Sequence, residues 1–491
     1  MLAINMDDVI KVVSSIKGYL IALAAVVLLA VAVMVGCRKM KKSKKYLIRW
    51  QAGLGLVAAI IVNLILTGPM YTMVSLATGG GKVSEENVVS ATALCEDIAD
   101  EGIVLLDNQG TLPLAKNSKL NVFGWASTNP CYGGTGSGAL SDAYPTVTLL
   151  EGLKNAGFEL NTELSDFYTA YRADRPVVGM WAQDWTLPEP EASQYSDEMM
   201  ENAKAFSDTA MVVITRVGGE GADLPTDVSQ VTYDAGHSYN DFEPGEHYLQ
   251  LSKTEKDMID LVCKNFDKVV VVYNGANAME LGWVKDYSQI KSVIWCAGTG
   301  QSGFNALGSI LCGDVNPSGR TIDTFVYDLT QTPTANNFGN FNYTNMDEFK
   351  ANSFGADTIP AFVNYVEGIY VGYKFYETAA AEGLIDYDKT VVYPFGRGLS
   401  YTTFTQTLNS VTEADGTITV DVTVTNTGSA SGKEVVEVYY NPPYTNGGIE
   451  KASANLIGFA KTSELAPGAS ENVTVTFKAD NTVVKTMTVK D

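Results

Sequence analysis

The chain has 491 residues, a net charge of -22 and 46% hydrophobic residues, which is enough for two or three domains with large cores. The negative charge lies in the main body, because residues 1–78 carry nine Lys or Arg against two Asp. An acidic body argues against nucleic acid as a partner, since phosphate contacts need a basic face. The six cysteines show no C-x-x-C spacing and the chain has two histidines, which argues against a metal site and a Ser-His-Asp triad.

Two uncharged apolar stretches, residues 18–36 and 53–77, are each long enough to cross a hydrocarbon core about 30 Å thick. The loop between them, Arg38–Arg49, carries seven Lys or Arg and no acid, and the positive-inside rule places such a loop in the cytoplasm. We therefore predict that residues 1–78 form a two-helix hairpin in the cell membrane, with the large domains extracellular. A cleaved signal peptide is the alternative for the first stretch.

Predicted strands alternate with predicted helices in the next part of the chain. Apolar runs typical of buried strands occur at Leu120–Ala126, Ala210–Ile214, Lys268–Tyr273 and Ser292–Cys296. Helical patterns occupy residues 84–106, 146–155, 196–207, 251–265 and 303–311. Ser252 and Glu255 have the spacing of a capping box at the start of the fourth helix. The alternation predicts an α/β sandwich over residues 79–395, with a mostly parallel sheet and helices on both faces.

After Gly396 the hydrophobic pattern changes to a period of two. It is clearest in Thr417–Asn426, Glu434–Tyr440 and Glu471–Phe477, which turn signals separate. Short alternating strands with turns between them are typical of an antiparallel sandwich. We therefore predict a second, all-β domain over residues 396–491.

Two glycine-rich segments follow predicted strands. Cys131–Leu140 is able to cradle a ligand through its backbone N–H groups, but it lacks the lysine of a phosphate-binding loop. Gly298, Gly300 and Gly303 have the spacing of a dinucleotide-binding loop, yet no acidic residue is clearly placed about 20 positions later. For Cys131–Leu140, a sugar or no ligand is favoured over a nucleotide, and tight packing of the turn is the better interpretation of Gly298–Gly303. A nucleotide-binding membrane protein is therefore the least favoured hypothesis, and we predict no cofactor.

The segment Ala210–Pro225 joins a buried strand to the turn Gly218–Gly221. In an open parallel sheet, ligands bind at the carboxyl ends of the strands. Glu220 has a glycine on either side and is therefore able to approach a ligand closely. From the residues alone, Glu220 is either a catalytic acid or the solvated glutamate of an ordinary surface turn.

More specific motifs are distributed along both predicted domains. They are EGIVLLDNQGTLPL (Glu101–Leu114), VFGWA (Val122–Ala126), RVGGEGAD (Arg216–Asp223), VVVVYNGANAMEL (Val269–Leu281), GDVNPSGR (Gly313–Arg320), YVEGIYVGYKFYE (Tyr365–Glu377), PFGRGLSYTTF (Pro394–Phe404), VTNTGSASGKEVVEVYY (Val424–Tyr440) and LIGFAKTSELAPGAS (Leu456–Ser470). In this order they resemble the α/β sandwich domain and the fibronectin type III-like domain of family 3 glycoside hydrolases. The resemblance implies a β-glucosidase-like enzyme whose substrates are oligosaccharides or other β-linked O-glycosides.

The resemblance also implies roles for individual residues. In this family, a loop similar to Arg216–Asp223 can supply the general acid/base glutamate, which here falls on Glu220. Arg216 and Asp223 match the flanking positions and are predicted to bind substrate, with Asp223 also helping to set the pKa of Glu220. Leu224 stands where the family commonly has an arginine, so the role of that arginine has no counterpart here.

A retaining glycosidase needs two carboxyl groups about 5–5.5 Å apart. In the resembling family the nucleophile is an aspartate on a TIM barrel, and the 491 residues show no stretch that resembles this barrel. Some members are permuted, with the barrel last, and the domain order here is similar to that form. We therefore expect a chain truncated before a barrel that is encoded downstream, and poorly active alone. The alternative is a non-catalytic carbohydrate-binding or sensing membrane protein.

Aromatic residues are concentrated in a Pro-rich insertion, residues 172–195, which contains Trp181, Trp185 and Tyr195. Aromatic faces often stack on sugar rings, so these side chains are candidates for substrate contacts. They are equally consistent with packing the insertion onto its own domain. Both interpretations stay open at the level of sequence.

Overall fold

The structure is a computed structural model, and it describes residues 6–71, 74, 83–136, 139–140, 144–171, 185, 187–220, 223–231, 242–337, 341, 344–349, 351–353, 356–358, 362–444, 447–479 and 487–489. Among these residues, the α-helices are α1 (Met6–Lys39), α2 (Lys44–Thr67), α3 (Glu85–Gly102), α4 (Leu149–Asn155), α5 (Thr162–Ala170), α6 (Asp197–Phe206), α7 (Lys253–Asn265), α8 (Phe304–Cys312), α9 (Tyr373–Ala381) and α10 (Tyr387–Thr390). The strands are β1 (Val104–Asn108), β2 (Lys119–Phe123), β3 (Glu159–Leu160), β4 (Thr209–Arg216), β5 (Lys268–Gly275), β6 (Ile290–Cys296), β7 (Phe325–Val326), β8 (Ala351–Ser353), β9 (Ala356–Thr358), β10 (Val391–Tyr393), β11 (Phe404–Ala414), β12 (Thr417–Asn426), β13 (Val435–Tyr440), β14 (Asn455–Lys461), β15 (Ser470–Lys478) and β16 (Met487–Val489).

The chain divides into two compact units. The first contains residues 1–87 and 340–363, and the second contains residues 88–339 and 364–491. The second unit therefore holds both the α/β sheet and the all-β region. The predicted boundaries at 79 and 396 stay predictions.

Helices α1 and α2 of the first unit form an antiparallel hairpin. Both are long and apolar enough to cross a membrane, by length and composition. The Gln51 side chain in α2 donates a hydrogen bond to the Ala30 carbonyl of α1 at 3.0 Å. Their apolar side chains are largely exposed, for example Leu28 at 70% and Leu56 at 64%. Such exposure is unusual for a water-soluble surface and suits a nonpolar environment.

The second helix does not coincide with the apolar stretch 53–77: it begins earlier and ends earlier. The helix begins at Lys44, before the apolar stretch. It includes the basic residues Lys44, Lys45 and Arg49, because lysine and arginine are good helix formers. It ends at Thr67, because Pro69 disfavours a helical conformation at the preceding Gly68.

The sheet of the second unit has the strand order β1-β6-β5-β4-β2-β3. Strands β2 to β6 run parallel, and only the edge strand β1 is antiparallel to its neighbour β6. All eight residues of β4 are buried. Met211 and Val213 face the layer that contains α4 and α8, and Val212 and Ile214 face the layer with α6 and α7. The predicted parallel sheet with helices on both faces is confirmed.

One element differs from its prediction, because the helical pattern assigned to residues 84–106 covers two elements. Helix α3 ends at Gly102, and Val104–Asn108 form the edge strand β1. Leu94 and Ile98 on this helix are 58% and 63% exposed. The run from Ile103 to Leu106 is apolar at every position and is buried between both layers, which a strand in this sheet requires.

The all-β region consists of two three-stranded antiparallel sheets, β11-β12-β15 and β14-β13-β16. Alternate side chains of the predicted strands point into one core, which includes Val420, Val422, Val424, Val436 and Val438. Burying a side chain of this size stabilises the fold by roughly 1.5–3 kcal/mol. The period-two prediction of an antiparallel sandwich is therefore confirmed.

Candidate active site

The predicted catalytic segment lies at the carboxyl edge of the sheet. Strand β4 ends at Arg216, which is in register with Gly275 at the end of β5. Strands β2 and β6 end at the same edge, since they run parallel to β4 and β5. Glu220 lies four residues after Arg216, beyond the last residue of β4. The parallel sheet thus places Glu220 where ligands bind in this class of fold.

Arg216 lies in the protein interior and is 0% exposed. Its Nε donates to the Tyr248 carbonyl at 2.6 Å, Nη1 donates to the Thr215 carbonyl at 2.7 Å, and Nη2 donates to the Gln250 carbonyl. Both Nη atoms also donate to Glu255, at 2.8 and 2.7 Å. All five N–H groups of the guanidinium are therefore satisfied inside the protein.

The interior position of Arg216 does not fit the substrate-binding role predicted for it. Burial lowers the pKa of a guanidinium, but the Glu255 carboxylate outweighs burial and raises the pKa of Arg216 above its usual value. The arginine stays charged and bidentately paired, so it has no donor left for a glycoside. It anchors the end of β4, and through it the start of the catalytic segment.

Glu220 and Asp223 are both exposed, in contrast to Arg216. The Glu220 backbone carbonyl accepts a hydrogen bond from Thr135 Oγ1 at 2.8 Å. A general acid must keep its proton near the working pH, and burial is one way to raise a carboxyl pKa. The described part of this chain does not bury Glu220. The effect of Asp223 on the pKa of Glu220 stays a prediction, as does its contact with substrate.

The glycine-rich loop Cys131–Gly136, which we call the bracket loop, crosses the carboxyl edge of the sheet. The fully buried Asn274 holds its first residue, because Oδ1 accepts from the Cys131 N–H at 2.6 Å and Nδ2 donates to the Cys131 carbonyl at 3.0 Å. Nδ2 also donates to the Cys296 carbonyl at the end of β6, at 3.0 Å. At its other end, Thr135 forms a parallel bridge with Gly219.

The glycines at 298–303 are explained by close packing of the chain. A Cβ at Gly298 would lie 3.1 Å from the Tyr132 carbonyl oxygen, and one at Gly303 would lie 2.5 Å from the Thr299 carbonyl oxygen. Gly300 has φ +63 and donates from its N–H to the Tyr132 carbonyl at 2.7 Å. The bracket loop therefore occupies the space beside this turn, as the tight-packing interpretation predicts.

A buried carboxyl lies at the end of the neighbouring strand β2. Glu189 is 3% exposed, accepts from the Trp125 N–H at 2.7 Å, and accepts from the Tyr195 hydroxyl. The Tyr195 hydroxyl is in turn 2.7 Å from the Tyr168 hydroxyl. Burial raises the pKa of Glu189 to about 8. The hydrogen bonds fix the end of the Pro-rich insertion against the sheet.

The two described aromatic side chains of the insertion, Trp185 and Tyr195, do not form a surface for sugars. Tyr195 belongs to the core around α6 and α7, and Trp185 is 2% exposed in a small cluster with Tyr248. Their packing interpretation is therefore the correct one. Trp181 lies outside the described residues.

Family models identify both domains. Residues 103–373 match the glycosyl hydrolase family 3 C-terminal domain, which is more than half of the chain. This chain belongs to glycoside hydrolase family 3. Residues 434–485 match the fibronectin type III-like domain, in the second sandwich. The predicted family, with both of its domains, is confirmed.

Individual relatives of this family 3 chain are β-glucosidases. The chain is 33% identical over 408 residues to β-glucosidase A of Butyrivibrio fibrisolvens, covering 78% of this chain and 45% of the relative. It is 32% identical over 382 residues to the β-glucosidase of Ruminococcus albus, covering 77% of this chain and 35% of the relative. The chain thus spans less than half the length of these two curated relatives.

Solved structures of β-glucosidases are also similar to this chain. β-Glucosidase 3B of Thermotoga neapolitana, in complex with α-D-glucose, matches with a TM-score of 0.65 and 28% identity, over 91% of this chain and 55% of that one. A β-glucosidase of Paenibacillus barengoltzii matches with a TM-score of 0.64 and 30% identity, over 81% and 39%.

Several residues that organise the site were not identified from the sequence. Glu255 was assigned only to a capping box, and it has that role, but it is also the counter-ion of Arg216. Asn274 directly follows the apolar run Val269–Tyr273, and a polar residue in that position is a usable signal. Thr135 and Glu189 carried no sequence signal, since each acts through partners distant in the chain.

Proposed function

We propose that this chain supplies the general acid/base half of a retaining β-glucosidase-like site that hydrolyses β-linked O-glycosides. Glu220 is the proton donor and acceptor. The observation that carries the proposal is its placement, because Glu220 is exposed at the carboxyl edge of the family 3 sheet on a segment anchored by the buried Arg216. The β-glucosidase names of the relatives give the substrate class.

The proposed reaction has two steps. In the first, a carboxylate from a domain outside the 491 residues attacks the anomeric carbon, and the protonated Glu220 gives its proton to the leaving glycosidic oxygen. In the second, the Glu220 carboxylate takes a proton from a water molecule, whose oxygen attacks the anomeric carbon and releases the first carboxylate. Glu220 is protonated again at the end, so the cycle closes.

The environment that keeps Glu220 protonated comes from two sources in this proposal. Asp223, three residues away, contributes negative charge, as does the incoming carboxylate, and like charges raise a carboxyl pKa. The domain that carries the nucleophile covers Glu220 and removes it from water. Glu220 therefore becomes an effective acid only when that domain is in place.

The test is a chimera in which residues 83–491 replace the matching region of β-glucosidase A from Butyrivibrio fibrisolvens. With 4-nitrophenyl β-glucoside, Glu220→Gln should lower kcat roughly 10²–10⁴-fold, because hydrolysis of the glycosyl-enzyme loses its general base. Added azide should restore turnover and give a glucosyl azide, since azide attacks without a general base. Glu413→Gln, an exposed glutamate of β11, is the matched control.

Two outcomes contradict the catalytic proposal. Equal activity of the chimera with and without Glu220→Gln would remove the acid/base role. A folded but inactive chimera, together with binding of cello-oligosaccharides by the full chain, would favour a non-catalytic carbohydrate-binding protein.

We further propose that the α1–α2 hairpin anchors the chain in a cell membrane, with the family 3 domains outside. Two apolar helices with exposed side chains and a basic turn between them support this proposal. The full chain should stay in the membrane pellet after alkaline carbonate extraction, and protease added outside should digest the large domains. Mass spectrometry of an N-terminus that begins after α1 would instead show a cleaved signal sequence.

A further inference from the structure

The carbonyl of the proposed catalytic residue has a defined partner. Thr135 is 4% exposed, and its Oγ1 donates to the Glu220 carbonyl at 2.8 Å. Its backbone forms a parallel bridge with Gly219. Gly219 has φ +153, and a Cβ there would lie 2.4 Å from the Thr135 backbone nitrogen. The two backbones can therefore approach this closely only because residue 219 is a glycine.

Thr135 itself is held by the sheet. The buried Asn274 pairs with both backbone groups of Cys131, which is the first residue of the bracket loop. The Tyr132 carbonyl accepts from the Gly300 N–H at 2.7 Å. The bracket loop is thus hydrogen-bonded to the carboxyl end of β5 and to the turn after β6. These bonds fix Thr135 as a hydrogen-bond donor to the loop that follows β4.

The catalytic segment is consequently held from two sides. Arg216 fixes its start from within the core, and Thr135 fixes it at Glu220 itself. A reacting carboxyl must stay close to its productive position, because small displacements reduce the rate steeply. The hydrogen bond from Thr135 is made to the backbone carbonyl of Glu220, so it restrains the residue without using the carboxyl group.

We infer that Thr135, presented by the bracket loop, is a positioning residue for Glu220. The inference rests on the proposed acid/base role of Glu220. It gives the bracket loop a function that is separate from ligand binding, and Gly219 allows the two backbones to approach each other.

The first experiment measures the order of the segment in the full 491-residue chain, without catalysis. A glutamate-specific endoprotease is applied under native conditions, and cleavage after Glu220 is followed by mass spectrometry. Thr135→Val should raise this cleavage rate roughly 2- to 10-fold, because one hydrogen bond is lost and the rate follows the population of the open segment. Thr135→Ser should restore the wild-type rate.

Thr425→Val is the matched control, since it removes a hydroxyl that contacts Ser470 in the β-sandwich. It should leave cleavage after Glu220 unchanged. An equal rate in Thr135→Val and wild type would overturn the inference. So would faster cleavage at all glutamates with a lowered melting temperature that Thr135→Ser fails to restore, because that is general destabilisation.

The second experiment uses the active chimera. Thr135→Val should lower kcat roughly tenfold with little change in KM, since binding remains while the acid is misplaced, and Thr135→Ser should restore kcat. Unchanged kcat would overturn the positioning role. The two proposals fail separately, because loss of the acid/base role appears with Glu220→Gln, whereas loss of positioning appears in the cleavage rates.

Discussion

Two glutamates at the same edge of the sheet have opposite environments. Glu189, beside the end of β2, is 3% exposed, and burial raises its pKa to about 8. Glu220, beyond the end of β4, is exposed. Glu220, the glutamate in the family motif, is thus the exposed one. Glu189, whose pKa is strongly raised, holds the insertion against the sheet. A raised pKa alone would select Glu189 and not the glutamate of the family motif, because burial in a structural network perturbs a carboxyl as strongly as burial in an active site.

The contrast also indicates what completes the site. Glu189 obtains its environment from Trp125, Tyr168 and Tyr195, all within this chain. Glu220 has an anchored backbone and an exposed carboxyl. The described residues therefore hold the backbone of the proposed acid in place and leave its side chain exposed.

The largest expected effect is on the pH dependence of stability at Glu189. The folded chain keeps the Glu189 proton up to about pH 8, whereas the usual value is 4.5. The protonated Glu189 therefore contributes on the order of 5 kcal/mol to the free energy of unfolding. This contribution is complete below pH 4.5 and is lost as the pH rises to 8. Glu189→Gln, which mimics the protonated form, should remove this decline in urea unfolding of the full chain between pH 4.5 and 8. A decline of equal size in both proteins would show that Glu189 is ionised when folded.

A slightly smaller loss is expected when the anchor of the catalytic segment is cut. Arg216→Met leaves Glu255 buried without its partner, which should cost about 3–5 kcal/mol in the free energy of unfolding. The double variant Arg216→Met/Glu255→Leu should recover much of this loss, since no buried charge remains. If the single variant is as stable as wild type, Arg216 does not anchor the segment.

Removing one donor from the buried glutamate should have a moderate effect. Tyr195→Phe takes away the hydroxyl that donates to Glu189 and should cost about 1–2 kcal/mol. That hydrogen bond also lowers the pKa of Glu189, so the decline in stability should extend to higher pH. Urea midpoints measured from pH 5 to 9 follow both effects, and a decline that ends at lower pH than in wild type would contradict the assigned direction.

The smallest effect is expected at the proposed acid itself. Glu220→Gln should change the free energy of unfolding by less than about 0.5 kcal/mol, as is usual for an exposed side chain. It serves as the matched comparison for Glu189→Gln, because both replace a glutamate by its neutral isostere. A large loss in Glu220→Gln would mean that Glu220 has a structural role.

Much of the fold could be predicted because its signals are local. The strands β4 and β5 contain the uninterrupted apolar runs Ala210–Ile214 and Val269–Tyr273, and β12 alternates over its whole length, Thr417–Asn426. The cap formed by Ser252 and Glu255 follows from spacing alone. The end of α3 could not be found this way, because its helical pattern continues into the apolar start of β1 and only sheet pairing separates the two.

The site was predictable only in part, because its geometry depends on contacts between distant residues. The motif indicated Glu220, and nothing in it separates the buried Arg216 from the exposed Asp223. The hydrogen bond from Thr135 to Glu220 joins residues 85 positions apart in the chain. The hydrogen bond between Cys131 and Asn274 joins residues 143 positions apart. Such pairs have no signature in a single sequence, since either partner alone is an ordinary polar residue.

The double role of Glu255 limits which residues can replace it. In most capping boxes glutamine is as acceptable as glutamate, because both accept the hydrogen bond from the first residue of the box. Here glutamine would keep the cap of α7 and leave Arg216 without a counter-charge, and aspartate is one methylene shorter than the side chain that now meets both partners. Position 255 should therefore tolerate glutamate alone, which makes it a stricter marker of an anchored acid/base segment than the exposed residues of the motif.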